Sequence, residues 1–478
     1  MNVPIGRLYV LVVMLFAILV AFTSYWSVFA AEDLRDNEAN RRPLLEQQRV
    51  ARGEIRTVDG ELLAVSEPQG RGGRRVFVRS YPEGPLFGHP VGYDFVDRGR
   101  TGIERSENDV LVGRTNEFST ILEELEGRAD EGSNLTVTLD AAAQRVATQG
   151  LAGRPGSVVA IEPATGAVRA MVSVPGFDPN LVRVQEEFEA LNQAEGSPLF
   201  NRATQSSYPP GSTMKVVTAA AALDSGEFEP DSIVNGDSPK EISGVELNNF
   251  ANQSFGDITL TTALTNSVNT AWAQVAEDLG GDVLFEYMDR FGFNALPPLD
   301  YPPQQMRASG VYRNSTKLLD DPDEVDIGRV AIGQERLEVT PLQMAMVTAT
   351  IANGGELAQP TFLQEVTDPD GRVTEELDPQ IERRVVSEQS AAQLTAMMAD
   401  VVREGTGTAA ALTGVDVAGK TGTAEVNIQR DINQPWFIGF APVENPQVAV
   451  AVTVERSAGT GGVVAAPIAR DVMEELLR

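Results

Sequence analysis

From Leu8 to Ala31 the sequence LYVLVVMLFAILVAFTSYWSVFAA carries no charged residue, and no other feature restricts the folding environment of the chain so sharply. At about 1.5 Å per residue, a helix over this run crosses a hydrocarbon core of roughly 30 Å. The expectation is an uncleaved single-pass transmembrane helix. The competing reading is a secretory signal peptide, because Val28-Phe29-Ala30 resembles a small-residue cleavage site, although the run exceeds the usual h-region of roughly 7–15 residues. Charge sets the orientation poorly, with Arg7 before the helix and Arg35, Arg41 and Arg42 after it. With residues 1–7 as a short cytoplasmic tail, the functional body is expected on the extracytoplasmic side of the plasma membrane.

At 478 residues and 42 % hydrophobic content, the chain exceeds one ordinary domain and has enough apolar mass for a large core. Residues 32–56 are polar and suit a juxtamembrane stalk. Short apolar pieces such as Val76-Phe77-Val78 then alternate with Gly and Pro clusters (Gly70-Arg71-Gly72-Gly73, Pro82-Glu83-Gly84-Pro85), which predicts small, irregular β-rich structure. Residues 32–152 are therefore read as stalk and pedestal, and 153–478 as a second unit opening at Gly153-Arg154-Pro155-Gly156. In that unit GSVVAIEPATGAVRAMVSVPG predicts two strands joined at Pro163-Ala164-Thr165-Gly166. Helical patterns follow at Met214–Leu223, Leu260–Leu279, Leu342–Ala352 and Ala391–Val402. Strand-like runs at Val415–Val426, Trp436–Ala441 and Val448–Val454 precede a closing helix over Pro467–Leu477. Strands at both ends with helices between them predict an α+β domain whose sheet joins its first and last parts.

Composition removes several chemistries. With 38 basic and 68 acidic residues the formal charge is −30, and that field repels a phosphate backbone, so nucleic acid is excluded as a partner. The chain has no cysteine and one histidine, which rules out thiolate catalysis and cysteine zinc sites. His89, in Gly88-His89-Pro90, reads as a turn residue, since no second imidazole exists to share a metal or a proton relay. Proton transfer must use another side chain.

Three short patterns supply candidates. Ser212-Thr213-Met214-Lys215 follows Tyr208-Pro209-Pro210-Gly211 and precedes the helix-forming run Ala219–Ala222. A serine there sits among free backbone N–H groups at the positive end of a helix. Lys215, three residues on, shares its face, and an amine desolvated beside the hydroxyl can act as general base. Taken alone, Ser212 is better read as a helix N-cap. Ser267-Val268-Asn269 places two polar groups at i and i+2, which meet only if the helix breaks there. Lys420-Thr421-Gly422-Thr423 sits in a strand whose glycine admits a second backbone. A peptide could pair with that strand while the lysine and hydroxyls hold a terminal carboxylate; the bland reading is an edge strand with a solvated lysine.

In this order and context the three patterns resemble the active-site serine penicillin-recognising enzymes. Val268 stands where class A β-lactamases carry aspartate, a form similar to the transpeptidases. The likeness extends over nearly the whole chain. Arg52-Gly53-Glu54-Ile55, Asp59-Gly60, Leu63-Ala64 and Gly102-Ile103-Glu104 look like the pedestal of class B penicillin-binding proteins. Thr138-Leu139-Asp140 with Gln144, Asn201-Arg202-Ala203, Gly333-Gln334, Val339–Gln343 and Trp436–Phe440 are similar to the transpeptidase domain of that class. Gly333-Gln334-Glu335 departs from the Gly-Gln-Gly of many relatives, which touches loop geometry more than chemistry. The compact pedestal resembles the actinobacterial short members used in division or elongation.

The resemblance implies a transpeptidase/β-lactamase-like α+β fold, an antiparallel sheet with helices. It implies acyl transfer from a peptidoglycan stem peptide ending in D-Ala-D-Ala, with β-lactam antibiotics as substrate mimics. Ser212 would be the nucleophile, Lys215 its base and Ser267 the donor of a proton to the leaving amine. Asn269 would hold the stem-peptide amide; Lys420, Thr421, Gly422 and Thr423 would bind the substrate carboxylate; the N–H groups of Ser212 and Thr423 would form the oxyanion hole. No metal or cofactor is expected. Nothing resembles a glycosyltransferase, so a separate membrane glycan polymerase is the expected partner. Two rivals remain: a hydrolase of the D,D-carboxypeptidase or β-lactamase type, and a non-catalytic scaffold that binds β-lactams.

Overall fold

The structure, a computed structural model, describes residues 2–30, 48–70, 76–113, 131–314, 318–319, 321–427 and 432–478. The stalk residues 32–47, with Arg35, Arg41 and Arg42, lie outside them, as does the cluster Arg71-Gly72-Gly73. An α-helix Asn2–Ser24 continues into a π-helical turn Tyr25–Phe29, so it starts earlier than Leu8. Within Val3–Val28 an 18-residue window has a mean hydropathy of 2.5, with none of that window buried against protein, and the helix is long and apolar enough to cross a membrane.

The first folded layer is a six-stranded sheet in the order Val373–Glu376, Leu363–Thr367, Asn134–Val137, Ile55–Thr57, Leu62–Gln69, Val76–Ser80. Only Ile55–Thr57 and Asn134–Val137 run parallel, with Ile55 opposite Leu135. Two of its strands come from far along the chain, which ties this layer to the rest. Beneath it lies an ionic core: fully buried Glu104 accepts from Arg52 Nη2 at 2.8 Å and Nε at 3.1 Å and from Arg79 Nε. Arg52 Nη1 also donates to Asn108 Oδ1 at 2.9 Å, so most of the buried guanidinium fork is satisfied.

The Gly/Pro-rich stretch is not all turn. Gly84–Val91 is a helix that contains His89; Pro85 opens it where an N–H needs no partner and Pro90 falls in its last turn, so neither proline prevents it. His89 is a buried helix residue rather than the expected turn residue. Its Nε2 lies 2.8 Å from Pro198 O and its ring packs edge-on against Phe177, and burial pushes its pKa down to about 4. The layers interlock here: Tyr301 Oη donates to His89 O at 2.6 Å, Gly102 N to Gln305 Oε1 at 2.6 Å, and Tyr81 N to Asn180 Oδ1 at 3.0 Å.

The second layer is an antiparallel five-stranded sheet, ordered Ala418–Asn427, Ile432–Ala441, Val448–Val454, Gly156–Ile161, Val168–Val174. Alternate residues face opposite sides, and both sides are covered. Val158, Ala160, Val450 and Val452 pack with Ala143, Ala147, Ile468 and Val472 of the helices Ala141–Leu151 and Ala466–Leu476. Val159, Ile161, Ala449 and Ala451 join the core cluster that contains Met344 and Val347 of the helix Pro341–Ala352. Cover on both sides explains why these strands read as unbroken apolar runs. Pro341–Ala352 is buried at every residue; Thr340 caps it by accepting from Gln343 N at 3.1 Å.

Candidate active site

The chain enters the site at Tyr208-Pro209-Pro210-Gly211, which is held from several sides. Tyr208 N donates to Val339 O at 3.0 Å and Val339 N to Tyr208 O at 2.9 Å, while Gly211 N donates to Gly333 O at 3.1 Å. Trp436 Nε1 donates to Pro209 O at 3.0 Å, and Tyr208 Oη to Glu455 Oε1 at 2.5 Å. Gly211 has φ +53°, and a Cβ on Gly333 would lie 2.0 Å from Gly211 O. The two glycines let the chain turn back sharply where only backbone fits. A 3₁₀ turn Gly211–Met214 then feeds the helix Lys215–Asp224. Ser212 caps neither: no side-chain cap bond is made at either start, and its hydroxyl instead meets Lys215.

Lys215 is fully buried. Its Nζ lies 2.6 Å from Asn269 Oδ1, 2.8 Å from Ser267 O, 3.0 Å from Ser212 Oγ and 3.2 Å from Ser267 Oγ. Burial first, and the nearby Lys420 second, hold its pKa well below the lysine range. A neutral amine has two N–H donors and one lone pair; Asn269 Oδ1 and Ser267 O, pure acceptors, take the donors. The lone pair is left for a hydroxyl proton, and Ser212 offers one.

The pair Ser267 and Asn269 meets Lys215 because the helix does break. Leu260–Thr265 ends, Ser267 adopts φ +58°, and Asn269–Leu279 begins. Val268 between them is buried, so the apolar middle residue anchors the turn in the core. Lys420 is fully buried, not solvated; its Nζ donates to Ser267 Oγ at 2.9 Å and Thr421 O at 3.0 Å. Burial pushes its pKa down to about 7. Among the described residues the strand that carries it is the edge of the five-stranded sheet, the position at which an extended peptide adds to a sheet. Gly422 serves the approach its position suggested: a Cβ there would lie 2.7 Å from Pro210 O.

All eight predicted residues converge on Ser212 or on the edge strand beside it. Others were missed. Thr406 Oγ1 lies 2.6 Å from Thr421 Oγ1, and Gly461 N donates to Thr423 Oγ1 at 3.1 Å, so both threonine hydroxyls are oriented by distant loops. Arg202 Nε donates to Glu455 Oε1 at 2.8 Å, which fixes the carboxylate that receives Tyr208. The glycines that flank Thr406, at 405 and 407, and the pair at 461 and 462 were the available signal, since tight backbone contact needs them.

The model of the penicillin binding protein transpeptidase domain matches residues 156–474, and that of the penicillin binding protein A dimerisation domain matches 52–135. The chain is 36 % identical to a peptidoglycan D,D-transpeptidase PbpA of Mycolicibacterium smegmatis, over 100 % of this chain and 99 % of that protein. A PbpA of Mycobacterium tuberculosis shows the same identity and coverage. Among solved structures, the ceftriaxone acyl-enzyme of penicillin-binding protein A from M. tuberculosis superposes with a TM-score of 0.81 at 32 % identity, covering 91 % of this chain and 100 % of that one. The imipenem acyl-enzyme of the same protein gives 0.80 at 33 % identity, covering 90 % and 100 %.

Proposed function

The chain belongs to the class B penicillin-binding protein transpeptidases, and from that premise we propose that its residues divide the work of acyl transfer as follows. The protein is a peptidoglycan D,D-transpeptidase that is acylated by β-lactams. Ser212 attacks the carbonyl of the penultimate D-alanine as its proton passes to neutral Lys215. The tetrahedral oxyanion is held by the N–H groups of Ser212 and Thr423, which need no reorganisation as charge develops. Ser267, in contact with both lysines, hands a proton to the departing D-alanine nitrogen as the C–N bond breaks. Asn269 holds the stem-peptide amide, and Lys420, Thr421 and Thr423, with Gly422 clearing their path, receive the terminal carboxylate. An amine of a second strand then attacks the ester and releases Ser212, leaving one amide in place of another.

The observation that carries this assignment is the unbroken contact Ser212–Lys215–Ser267–Lys420, with both amines buried. The N-terminal helix serves as the membrane anchor, with the catalytic body outside the cell, and a separate membrane glycan polymerase supplies the strands. The test is exchange: a stem peptide ending in D-Ala-D-Ala is incubated with labelled D-amino acid. The assignment expects label at the peptide's end in wild type and none in Ser212→Ala. Loss of the terminal residue without incorporation would instead make the enzyme a carboxypeptidase.

A further inference from the structure

Phe250 is 77 % exposed, the most exposed large apolar side chain among the described residues, above any in the apolar N-terminal helix. It is held out by a rigid loop. Asn249 beside it is buried, and its Nδ2 donates to Gly236 O at 3.0 Å and Gln253 O at 2.9 Å. Asn249 Oδ1 accepts from Thr270 N at 3.0 Å and Thr270 Oγ1 at 3.1 Å. Ala251 and Asn252 follow with φ +53° and +56°, left-handed conformations that cost non-glycine residues about 1 kcal/mol or more each. A loop so fully bonded, strained and yet holding a phenyl ring in water is shaped for a ligand.

The loop is joined directly to the reacting centre. Asn248 O accepts from Asn269 Nδ2 at 3.2 Å, while Asn269 Oδ1 lies 2.6 Å from Lys215 Nζ. A stem peptide whose amide reaches Asn269 therefore runs beside this loop. An extended stem of about four residues spans roughly 14 Å, a length that brings the sugar beside Phe250, two residues beyond Asn248, when the stem follows the loop. The loop itself carries no charge, Asn248–Gly256 reading NNFANQSFG in a chain that is 22 % charged; carboxylates stand at its base, where Glu246 accepts from Asn248 Nδ2 and Asp237 from Ser254 Oγ. The side chains of Asn252 and Gln253 are exposed. A flat apolar ring flanked by amides matches a saccharide, whose C–H faces cover the ring while its hydroxyl and acetamido groups bond the amides.

We infer that the loop Asn248–Gln253 binds the glycan of the donor strand, with Phe250 stacked on a pyranose face and Asn252 and Gln253 reading its polar groups. The inference rests on the transpeptidase reading above. Full-length wild type, Phe250→Ala, Phe250→Leu and Phe250→Trp are compared on a disaccharide-pentapeptide donor and on the same pentapeptide without sugar, with penicillin acylation measured in parallel. Phe250→Ala and Phe250→Leu lower kcat/KM about tenfold on the sugar-bearing donor only, and Phe250→Trp retains it. Equal loss on both donors, or loss on neither, overturns the glycan contact. Failure of wild type to take penicillin would instead overturn the transpeptidase reading.

Discussion

Replacing Gly422 with alanine tests how the nucleophile turn and the substrate strand are registered. The new Cβ would lie 2.7 Å from Pro210 O, 2.9 Å from Thr213 Cγ2 and 3.0 Å from Trp436 Cβ. None of these is the free end of a flexible side chain, so the strand must move. Ordinary contact begins at 3.4 Å, and the strand retreats from the turn by about 0.7 Å. Thr423 N and the threonine hydroxyls proposed to hold the substrate carboxylate move with it, away from Ser212. A misplacement of about 1 Å costs near 10²-fold in rate, so Gly422→Ala should lower the second-order rate of penicillin acylation on the order of 10- to 100-fold. The assay is time-resolved labelling, with a thermal melt to establish that the variant is folded. A folded variant that acylates within about twofold of wild type refutes the reasoning.

Three other outcomes follow from the structure. In the free enzyme Lys420 is a cation below about 7 and neutral above it, so kcat/KM for a substrate with a terminal carboxylate should fall as pH rises through about 7. Lys420→Arg, which cannot deprotonate, should move that limb to high pH, and an unmoved limb would assign it elsewhere. Glu335 has φ +53°, so Glu335→Gly should stabilise the protein by about 1 kcal/mol, read as a raised melting temperature; a lowered one would mean that its side chain matters more than its backbone. Glu104→Ala leaves Arg52 and Arg79 buried without their shared carboxylate and should cost roughly 3–5 kcal/mol, measured by denaturant unfolding; a loss under about 1 kcal/mol would mean that water, or Asp94 whose Oδ2 lies 3.2 Å from Arg52 Nε, takes its place.

The patterns local to a few residues were legible. Ser212 with Lys215, Ser267 with Asn269 and the Lys420–Thr423 run each carry their chemistry within one turn or strand, and the order of the three made chance implausible. The unbroken runs at Gly156–Ile161 and Val448–Val454 marked strands because both faces are covered. What escaped was pairing across distance. Leu363–Thr367 joins Asn134–Val137 through backbone bonds that leave no side-chain signature. Burial of Lys420 follows from the elements around it, so an edge-strand lysine taken alone read as solvated. His89 was misjudged because Gly and Pro mark turns on average, whereas here Pro85 and Pro90 sit where a short helix tolerates them. Thr406 and Glu455 act on the site only through Thr421 and Tyr208; the glycines on either side of Thr406 mark tight backbone contact without saying with what.

The most direct test of Ser212 as nucleophile is mass spectrometry of the full-length protein after penicillin G, with the adduct mapped on proteolytic peptides. One stable adduct on the peptide bearing Ser212, absent in Ser212→Ala and strongly slowed in Lys215→Ala, is predicted. An adduct on another residue, or none on a folded protein, would contradict the account.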